Sequence, residues 1–182
     1  MPDVLLVAAT ERELGGLDGL VCGVGPVEAA AAAARALTLR PFDAVLHVGV
    51  AGGRGLAPRS LVIGAESVYC DLAAAIPVVA RVAADTRLVE AARSVVPDAP
   101  ILAIGTSAAV GGARHDIAVE AMEGFGVLRA AALAGVPAIE VRTISNEVGE
   151  DDRSRWDVPG AVAALHAVLP RLLAAIDGAS QR

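Results

Sequence analysis

The sequence has very few aromatic residues, no lysine and only two cysteines. Aromatic side chains make up 2% of the 182 residues, whereas hydrophobic residues make up 55%. The core must therefore be built from Ala, Val, Leu and Ile, a composition that suits short parallel strands covered by alanine-rich helices. All 15 basic residues are arginines, which excludes a Schiff-base lysine.

The cysteines and the apolar runs exclude further classes of protein. Cys22 and Cys70 lie far apart and form no CxxC or Cys/His cluster, so we predict two small buried thiols in a reducing cytoplasm and no metal site. Glu11, Arg12 and Glu13 interrupt the first apolar run, which therefore predicts a strand and not a signal peptide. No uninterrupted apolar run approaches the roughly 18 residues of a membrane span.

The acidic balance of the chain bears on its partners. A formal net charge of −6 argues against nucleic acid or an anionic membrane surface as the main partner. No internal repeat, low-complexity tract or linker divides the sequence. We therefore predict a single domain over residues 1–182, long enough to bury a sizeable core.

Strand and helix signals alternate along the chain. This alternation predicts an α/β fold of three layers (αβα), a central twisted mixed sheet with helices on both faces. The predicted strands cover residues 4–9, 20–24, 44–50, 61–69, 101–104 and 139–144. The predicted helices cover residues 26–37 and 86–96, a segment ending at Gly135, and a tail from Asp157 that is broken or kinked at Pro170 and frayed over residues 178–182. Polar residues after several strands should share one rim, where such folds bind ligands.

The stretch from Val119 to Asn146 carries the most informative pattern. It contains M-E-G-F, an apolar helix and a β-branched strand that ends in V-R-T-I-S-N. This arrangement resembles the M-E-(x)n-V-R-x-I-S-[DN] signature of the nucleoside phosphorylase/hydrolase superfamily. The closer match is to its nucleosidase branch, which contains methylthioadenosine/S-adenosylhomocysteine nucleosidases and futalosine hydrolases. The continuation E-V-G-E-D-D-R-S-R-W-D, from Glu147 to Asp157, is similar to futalosine hydrolases in particular.

The resemblance implies an enzyme that uses water to cleave an N-glycosidic bond, without a metal or cofactor. For a futalosine hydrolase the substrate is futalosine, the released base is hypoxanthine and the pathway is menaquinone biosynthesis. The resemblance also implies a homo-oligomer, a dimer or a tetramer. Three alternatives stay open: a methylthioadenosine/S-adenosylhomocysteine nucleosidase, a purine nucleoside phosphorylase, and a non-catalytic nucleoside-binding module.

Two glutamates are candidates for the base that activates water. Glu13 follows the first strand in A-T-E-R-E, where the resembling nucleosidases carry their basic glutamate in an A-M-E-x-E-like run. A carboxylate there would accept a proton from water and repel phosphate. Glu11 competes for this role, and both residues could instead serve only to complement the dipole of a helix start.

Glu123 is the candidate that binds ribose. A carboxylate accepts two charge-assisted hydrogen bonds from adjacent hydroxyls and favours positive charge growing on the sugar ring. Met122 would pack against the apolar face of the sugar. The Ala51-Gly52 turn after the third strand corresponds to the family's loop beside the ribose and the attacking water, where glycine lets backbone N–H groups approach.

Asn146 is the candidate that reads the base. Adenine-cleaving relatives carry Asp at this position, which can protonate N7 and accept from a 6-amino group. The amide of Asn donates to O6 and accepts from a protonated N7. This pattern favours a 6-oxopurine such as hypoxanthine, and with it the futalosine hydrolase reading.

The remaining candidates concern the far parts of a substrate. Thr106 and Ser107 could offer polar contacts, and Phe125 or Trp156 could supply a stacking face. Futalosine carries a carboxylate on its aryl ketone, and an arginine of the R-S-R-W run, either Arg153 or Arg155, could pair with it, although surface exposure explains both equally well. Arg142 is predicted to be structural.

Overall fold

The computed structural model describes residues 3–109 and 115–181. Its strands are β1 (Val4–Ala8), β2 (Leu20–Val21), β3 (Ala44–Gly53), β4 (Leu61–Tyr69), β5 (Arg81–Ala83), β6 (Ile101–Thr106), β7 (Val119–Ala121) and β8 (Ala138–Glu147). Its helices are α1 (Glu11–Leu14), α2 (Pro26–Leu39), α3 (Thr86–Val95), α4 (Gly124–Ala134) and α5 (Val158–Ser180), and a 3-10 turn covers Arg153–Arg155.

All of the described strands belong to one mixed sheet. Along its main path the strand order is β2-β1-β3-β7-β6-β4-β5, and β8 pairs with both β3 and β4. The pairs β1–β3, β3–β8 and β4–β6 are parallel, whereas β4 runs antiparallel to β5 and to β8. The predicted α/β class with a central mixed sheet is confirmed.

The sheet has a separate apolar core on each face. Successive residues of a strand point to opposite faces, and β1 shows this directly: Leu5 and Val7 pack with α2 and α4, whereas Leu6 and Ala8 pack with α3 and α5. The side chains of both cores are almost entirely aliphatic. An aliphatic core of this kind follows from a chain with so few aromatic residues.

The structure extends two strands beyond their predicted ends. β3 continues to Gly53 and β8 to Glu147, past the predicted ends at Val50 and Ile144. The two strands stay paired through this extension, with a register shift between Ala51 and Gly52. The glycines and polar residues that the sequence assigns to loops are thus held by sheet hydrogen bonds, which gives the rim of the sheet a fixed backbone.

The C-terminal helix corrects two predictions. α5 runs without a break through Pro170, so the predicted break is wrong; Leu169 and Leu172 on either side are buried in the core. The expected fraying is wrong for the described part of the tail, since the helix continues to Ser180 and Ala179 is buried. By length and mean hydropathy (1.5) alone, the segment Arg153–Ser180 could cross a membrane. Its buried stripe faces the sheet, as in a core helix.

The two cysteines are free and differ in environment. Cys22 is buried, and burial raises the pKa of its thiol to about 12. Cys70 is half-buried, so the prediction of two buried thiols is correct for Cys22 only.

Candidate active site

A cavity of about 340 Å³ opens at the carboxyl ends of β1, β3 and β8. Parallel strands that end at one edge bring the residues after them together, which is the rim the sequence predicts. Its floor and walls carry a few charged and polar side chains among apolar ones. The charged and amide side chains are Arg12, Glu13, Glu120, Glu123, Asn146 and Glu150.

Glu13 lies on the cavity wall and is firmly held. Only 6% of the residue is exposed. Its Oε2 accepts from the backbone N–H and the hydroxyl of Thr10, at 3.0 and 2.8 Å, and its Oε1 accepts from the N–H of Val50 at 3.1 Å. These bonds fix the carboxylate at the start of α1 and against β3. Glu11 is exposed and does not line the cavity.

Gly49 on β3 allows the Glu13 carboxylate and the Arg142 guanidinium to lie close to the same strand. A Cβ at this position would overlap Arg142 and contact Glu13 Oε1. The backbone of Gly49 is part of a continuous strand, so its role is close approach and not an unusual backbone angle.

Glu123 is the second buried carboxylate of the cavity. The residue is 5% exposed, and its Oε1 accepts from the N–H of Gly25 at 3.1 Å. Its Oε2 lies 3.4 Å from Arg142 Nη2. Burial raises the pKa of the Glu123 carboxyl, against the opposing influence of the Arg142 guanidinium and of the Gly25 hydrogen bond. The turn before α2, residues 23–26, thus holds the Glu123 carboxyl group through the N–H of Gly25.

Arg142 belongs to a buried ionic network beneath the cavity. Its Nε donates to Glu140 Oε1 at 2.7 Å, and its Nη2 lies 3.2 Å from His47 Nε2. The hydroxyl of Ser67 donates to Glu140 Oε2. Burial lowers the pKa of His47 well below its ordinary value, and the Arg142 guanidinium lowers it further. A neutral His47 and an ionised Arg142 follow from this arrangement.

Glu140 and His47 were not predicted from the sequence as part of the site. Glu140 and Arg142 are two residues apart in an apolar strand, so they point to the same face, and charges on a buried face need partners. That spacing could have indicated an ion pair. His47 is harder to find, since it opposes Glu140 only through the β3–β8 register.

Asn146 lies half-buried on the cavity wall, at the end of β8. Its Oδ1 accepts from the hydroxyl of Ser145 at 2.7 Å, and its Nδ2 donates to the carbonyl of Glu147 at 3.0 Å. One N–H of the amide and one lone pair of Oδ1 therefore stay available for a ligand. Gly52 lies beside this amide, because a Cβ there would stand 3.1 Å from Nδ2.

The structure brings six of the predicted site residues together in the cavity: Ala51, Gly52, Met122, Glu13, Glu123 and Asn146. It does not bring Thr106, Ser107 and Phe125 to the cavity wall. The hydroxyl of Thr106 accepts from the N–H of Phe125 at 2.8 Å, and the hydroxyl of Ser107 donates to Asp71 at 3.2 Å. Phe125 stacks on Tyr69 with ring centroids 5.3 Å apart. These three side chains hold the neighbouring segments together.

The arginines near Trp156 do not line the cavity, although Trp156 does. Arg155 pairs with Glu150 at 2.6 Å, and Arg153 lies over the ring of Trp156, with its Cζ 5.8 Å from the centroid. Among the described lining residues the basic one is Arg12, which was not predicted from the sequence as a site residue. Among the described residues, no group of three or more His, Cys, Asp or Glu side chains could hold a metal ion.

Comparison with known proteins identifies the family of this chain. A model of the phosphorylase superfamily matches residues 19–176, and the chain therefore belongs to that superfamily. Two curated relatives, both futalosine hydrolases, are 35% identical to this chain. The relative from Streptomyces coelicolor matches over 89% of this chain and 80% of its own length, and that from Acidothermus cellulolyticus over 96% and 83%. The predicted family is confirmed.

Solved structures agree on the fold. The methylthioadenosine/S-adenosylhomocysteine nucleosidase of Neisseria meningitidis, in complex with methylthio-immucillin-A, superposes with a TM-score of 0.83 at 19% identity, over 95% of this chain and 99% of that chain. The native futalosine hydrolase of Helicobacter pylori superposes with a TM-score of 0.84 at 16% identity, over 95% of this chain and 97% of that chain. At such low identity these likenesses bear on the fold alone.

Proposed function

We propose that the protein is a futalosine hydrolase, which uses water to cleave the N-glycosidic bond of futalosine and releases hypoxanthine. One observation carries the proposal: two buried carboxylates, Glu13 and Glu123, and the amide of Asn146 converge on one cavity. The curated relatives of this chain are futalosine hydrolases. The cavity volume is in the range of small-molecule sites.

The two carboxylates support complementary roles in the reaction. Cleavage passes through a transition state with positive charge on the ribosyl ring, as in glycoside hydrolysis. Glu123 binds the ribose hydroxyls and stabilises that charge, while Met122 packs against the sugar. Glu13 accepts the proton of the attacking water, for which it keeps a free lone pair beyond its three hydrogen bonds.

The free groups of Asn146 support a 6-oxopurine as the leaving base. Its available N–H donates to O6. The departing base takes a proton from solvent water at N7, and the available lone pair of Oδ1 accepts a hydrogen bond from that N7–H. A 6-amino group in the place of O6 would face a donor and leave polar groups unpaired. This argument favours hypoxanthine over adenine, and so futalosine over methylthioadenosine or adenosylhomocysteine.

The charge of the cavity supports hydrolysis over phosphorolysis. Four glutamates line it: Glu13, Glu120, Glu123 and Glu150. Of the described lining residues Arg12 alone is basic. Phosphate would be repelled by such a wall, whereas neutral water is not. The proposal extends to a cytoplasmic homo-oligomer that acts in menaquinone biosynthesis.

A nucleoside panel tests this function. The purified protein is incubated with futalosine, inosine, methylthioadenosine and adenosylhomocysteine, with and without phosphate, and the free base is quantified. We expect hypoxanthine from futalosine at a rate that phosphate does not change. Release that depends on phosphate would identify a phosphorylase, adenine release would identify the other nucleosidase, and binding of futalosine without turnover would identify a non-catalytic module.

A further inference from the structure

Arg12 is anchored at its backbone while its side chain is left without a partner. Its carbonyl oxygen accepts from His166 Nε2 at 2.8 Å, which ties the residue to α5. The next residue, Glu13, is fixed by its own three hydrogen bonds. Within the described part of the chain the Arg12 guanidinium makes no hydrogen bond or salt bridge, although it lines the cavity. The residue is exposed and its backbone is held in place, while the five donors of its guanidinium have no partner among the described residues.

Other arginines near the cavity have partners within the described part of the chain, and Arg153 lies over the ring of Trp156. Arg155 pairs with Glu150 at 2.6 Å, and Arg59 pairs with Asp157 at 2.5 Å. Arg54 donates to two backbone carbonyls. Among the described lining residues Arg12 is the basic one, so its unpaired guanidinium would attract an anionic group of a ligand.

An apolar strip leads from Trp156 to this arginine. Val158 and Val162 line the cavity, and together with His166 they are spaced at i, i+4 and i+8, which places them on one face of α5. Eight residues of helix span roughly 12 Å. Trp156 stands at the start of this strip and is oriented by a hydrogen bond from its Nε1 to the carbonyl of Glu150 at 3.0 Å. The cavity wall is apolar along this strip, which suits an apolar group of a ligand.

We propose that Arg12 is a specificity residue: it binds a carboxylate at the end of an aromatic 5′ substituent that packs along Trp156, Val158 and Val162. This inference rests on the proposed function, and it assigns the far end of that substrate. It also replaces the sequence-based choice of Arg153 or Arg155, since neither of these side chains reaches the cavity wall. Arg12 and Glu13 then follow one another in α1, one reading the substituent and the other facing the reacting centre.

The experiment compares futalosine with its methyl ester, which has the same shape and lacks the negative charge. Both compounds are tested against the wild-type protein, Arg12→Leu, Arg12→Lys and the matched control Arg153→Leu. The quantity measured is the ratio of kcat/KM for the acid to that for the ester. We expect a wild-type preference for the acid of about tenfold or more, the size of one charge-assisted hydrogen bond. The preference should weaken as salt is added.

Each variant has its own expected ratio. Arg12→Leu should bring the ratio to within about twofold of unity, Arg12→Lys should keep part of the preference, and Arg153→Leu should keep all of it. A ratio that Arg12→Leu leaves unchanged, or that only Arg153→Leu abolishes, overturns the inference while the proposed function stands. If the wild-type protein releases no hypoxanthine, the proposed function is wrong. The same comparison is then made with calorimetric Kd values, and equal Kd values for acid and ester would overturn the role of Arg12 as well.

Discussion

Glu11 and Glu13 are two residues apart, yet only Glu13 turns its carboxylate into the cavity. Glu13→Gln should keep the fold and the binding of substrate, because the amide oxygen still accepts a hydrogen bond at the start of α1. Turnover should fall by about 10²–10⁴-fold, the usual contribution of a general base. The measurement is kcat for hypoxanthine release, with urea unfolding as the check on folding.

Glu11→Gln is the matched control for this prediction, since the same chemical change is made on the exposed side of α1. We expect its kcat to stay close to that of the wild-type protein. Loss of activity in Glu11→Gln together with full activity in Glu13→Gln would reverse the assignment of the base.

Glu123 is expected to act on the ribose hydroxyls. Glu123→Ala should lower both affinity and turnover, because its hydrogen bonds form in the ground state and strengthen as the ring gains charge. A 2′-deoxy substrate should react slowly with the wild-type protein and lose little more with the variant. If the two losses multiply, Glu123 and the 2′-hydroxyl do not interact.

Asn146 and Asp are nearly isosteric, so an exchange between them keeps the shape of the side chain and changes its hydrogen-bond polarity and its charge. Asn146→Asp should weaken cleavage of the hypoxanthine nucleoside and raise residual activity on the adenine form. Unpaired buried polar groups cost roughly 1–3 kcal/mol each, so a shift of about ten- to several-hundred-fold in selectivity is expected. The ratio of kcat/KM for the two forms measures it, and an unchanged ratio would show that Asn146 does not read the 6-position.

The sequence predicted some residues of the candidate site better than others. Glu13, Glu123 and Asn146 stand in recognisable local patterns, and all three line the cavity. Thr106 and Phe125 stand next to such patterns but turn away from the cavity, since a sequence does not show which way a side chain points after a strand ends. Arg12 was not a candidate in the sequence, because its place on the cavity wall and its lack of a partner among the described residues depend on packing.

At the scale of elements, the junction between β7 and α4 depends on a close approach at Gly124. This glycine is the first residue of α4, and a Cβ there would overlap the Glu140 carboxylate. Gly124→Ala should therefore destabilise the protein by about 1–3 kcal/mol through overpacking, although alanine favours helix elsewhere. Urea unfolding measures the change in the free energy of unfolding.

Gly178→Ala is the control for this effect, because Gly178 lies in α5 and a Cβ there meets nothing within 4 Å. We expect it to stabilise the protein by up to about 1 kcal/mol. If both substitutions change stability by the same amount and sign, the contact with Glu140 is not what requires a glycine at position 124.

The sequence predicts which of the longer strands carry the site, but it does not predict where those strands end. Apolar runs identified β3 and β8, but their extension to Gly53 and Glu147 depends on pairing across a register shift. β5 and β7 have three residues each, too few for a periodic signal, and they form because longer neighbouring strands offer free edges. Local sequence therefore predicts strands better than it predicts where partners prolong them.

At the scale of the whole molecule, the alternation of strands and helices predicted the layered architecture. The same pattern does not indicate the oligomeric state, so the homo-oligomer stays a prediction. It is checked by light scattering on the purified protein.

The buried network also makes the stability of the whole molecule depend on pH. The pKa of His47 is lowered well below 6.5, first by burial and then by Arg142. Below pH 6.5 the unfolded chain therefore binds a proton at this histidine that the folded protein does not bind. The contribution of His47 to the free energy of unfolding is complete above pH 6.5. It is lost as pH falls through the folded pKa, with a slope of at most about 1.4 kcal/mol per pH unit.

Glu123 acts in the opposite sense, so the two groups must be separated. Its pKa is raised from 4.5, mainly by burial, and its contribution is present below 4.5 and is lost as pH rises through the folded value. His47→Gln removes the pH-dependent contribution of His47 to the free energy of unfolding. The amide oxygen of the glutamine can still accept a hydrogen bond from Arg142. We expect the stability difference between the wild-type protein and this variant, measured by urea unfolding at pH 7.5, 6.5 and 5.5, to shrink as pH falls below 6.5. A difference that is the same at all three values would mean that His47 does not stay neutral in the folded protein, because only a group that titrates differently in the folded and unfolded states couples folding to pH.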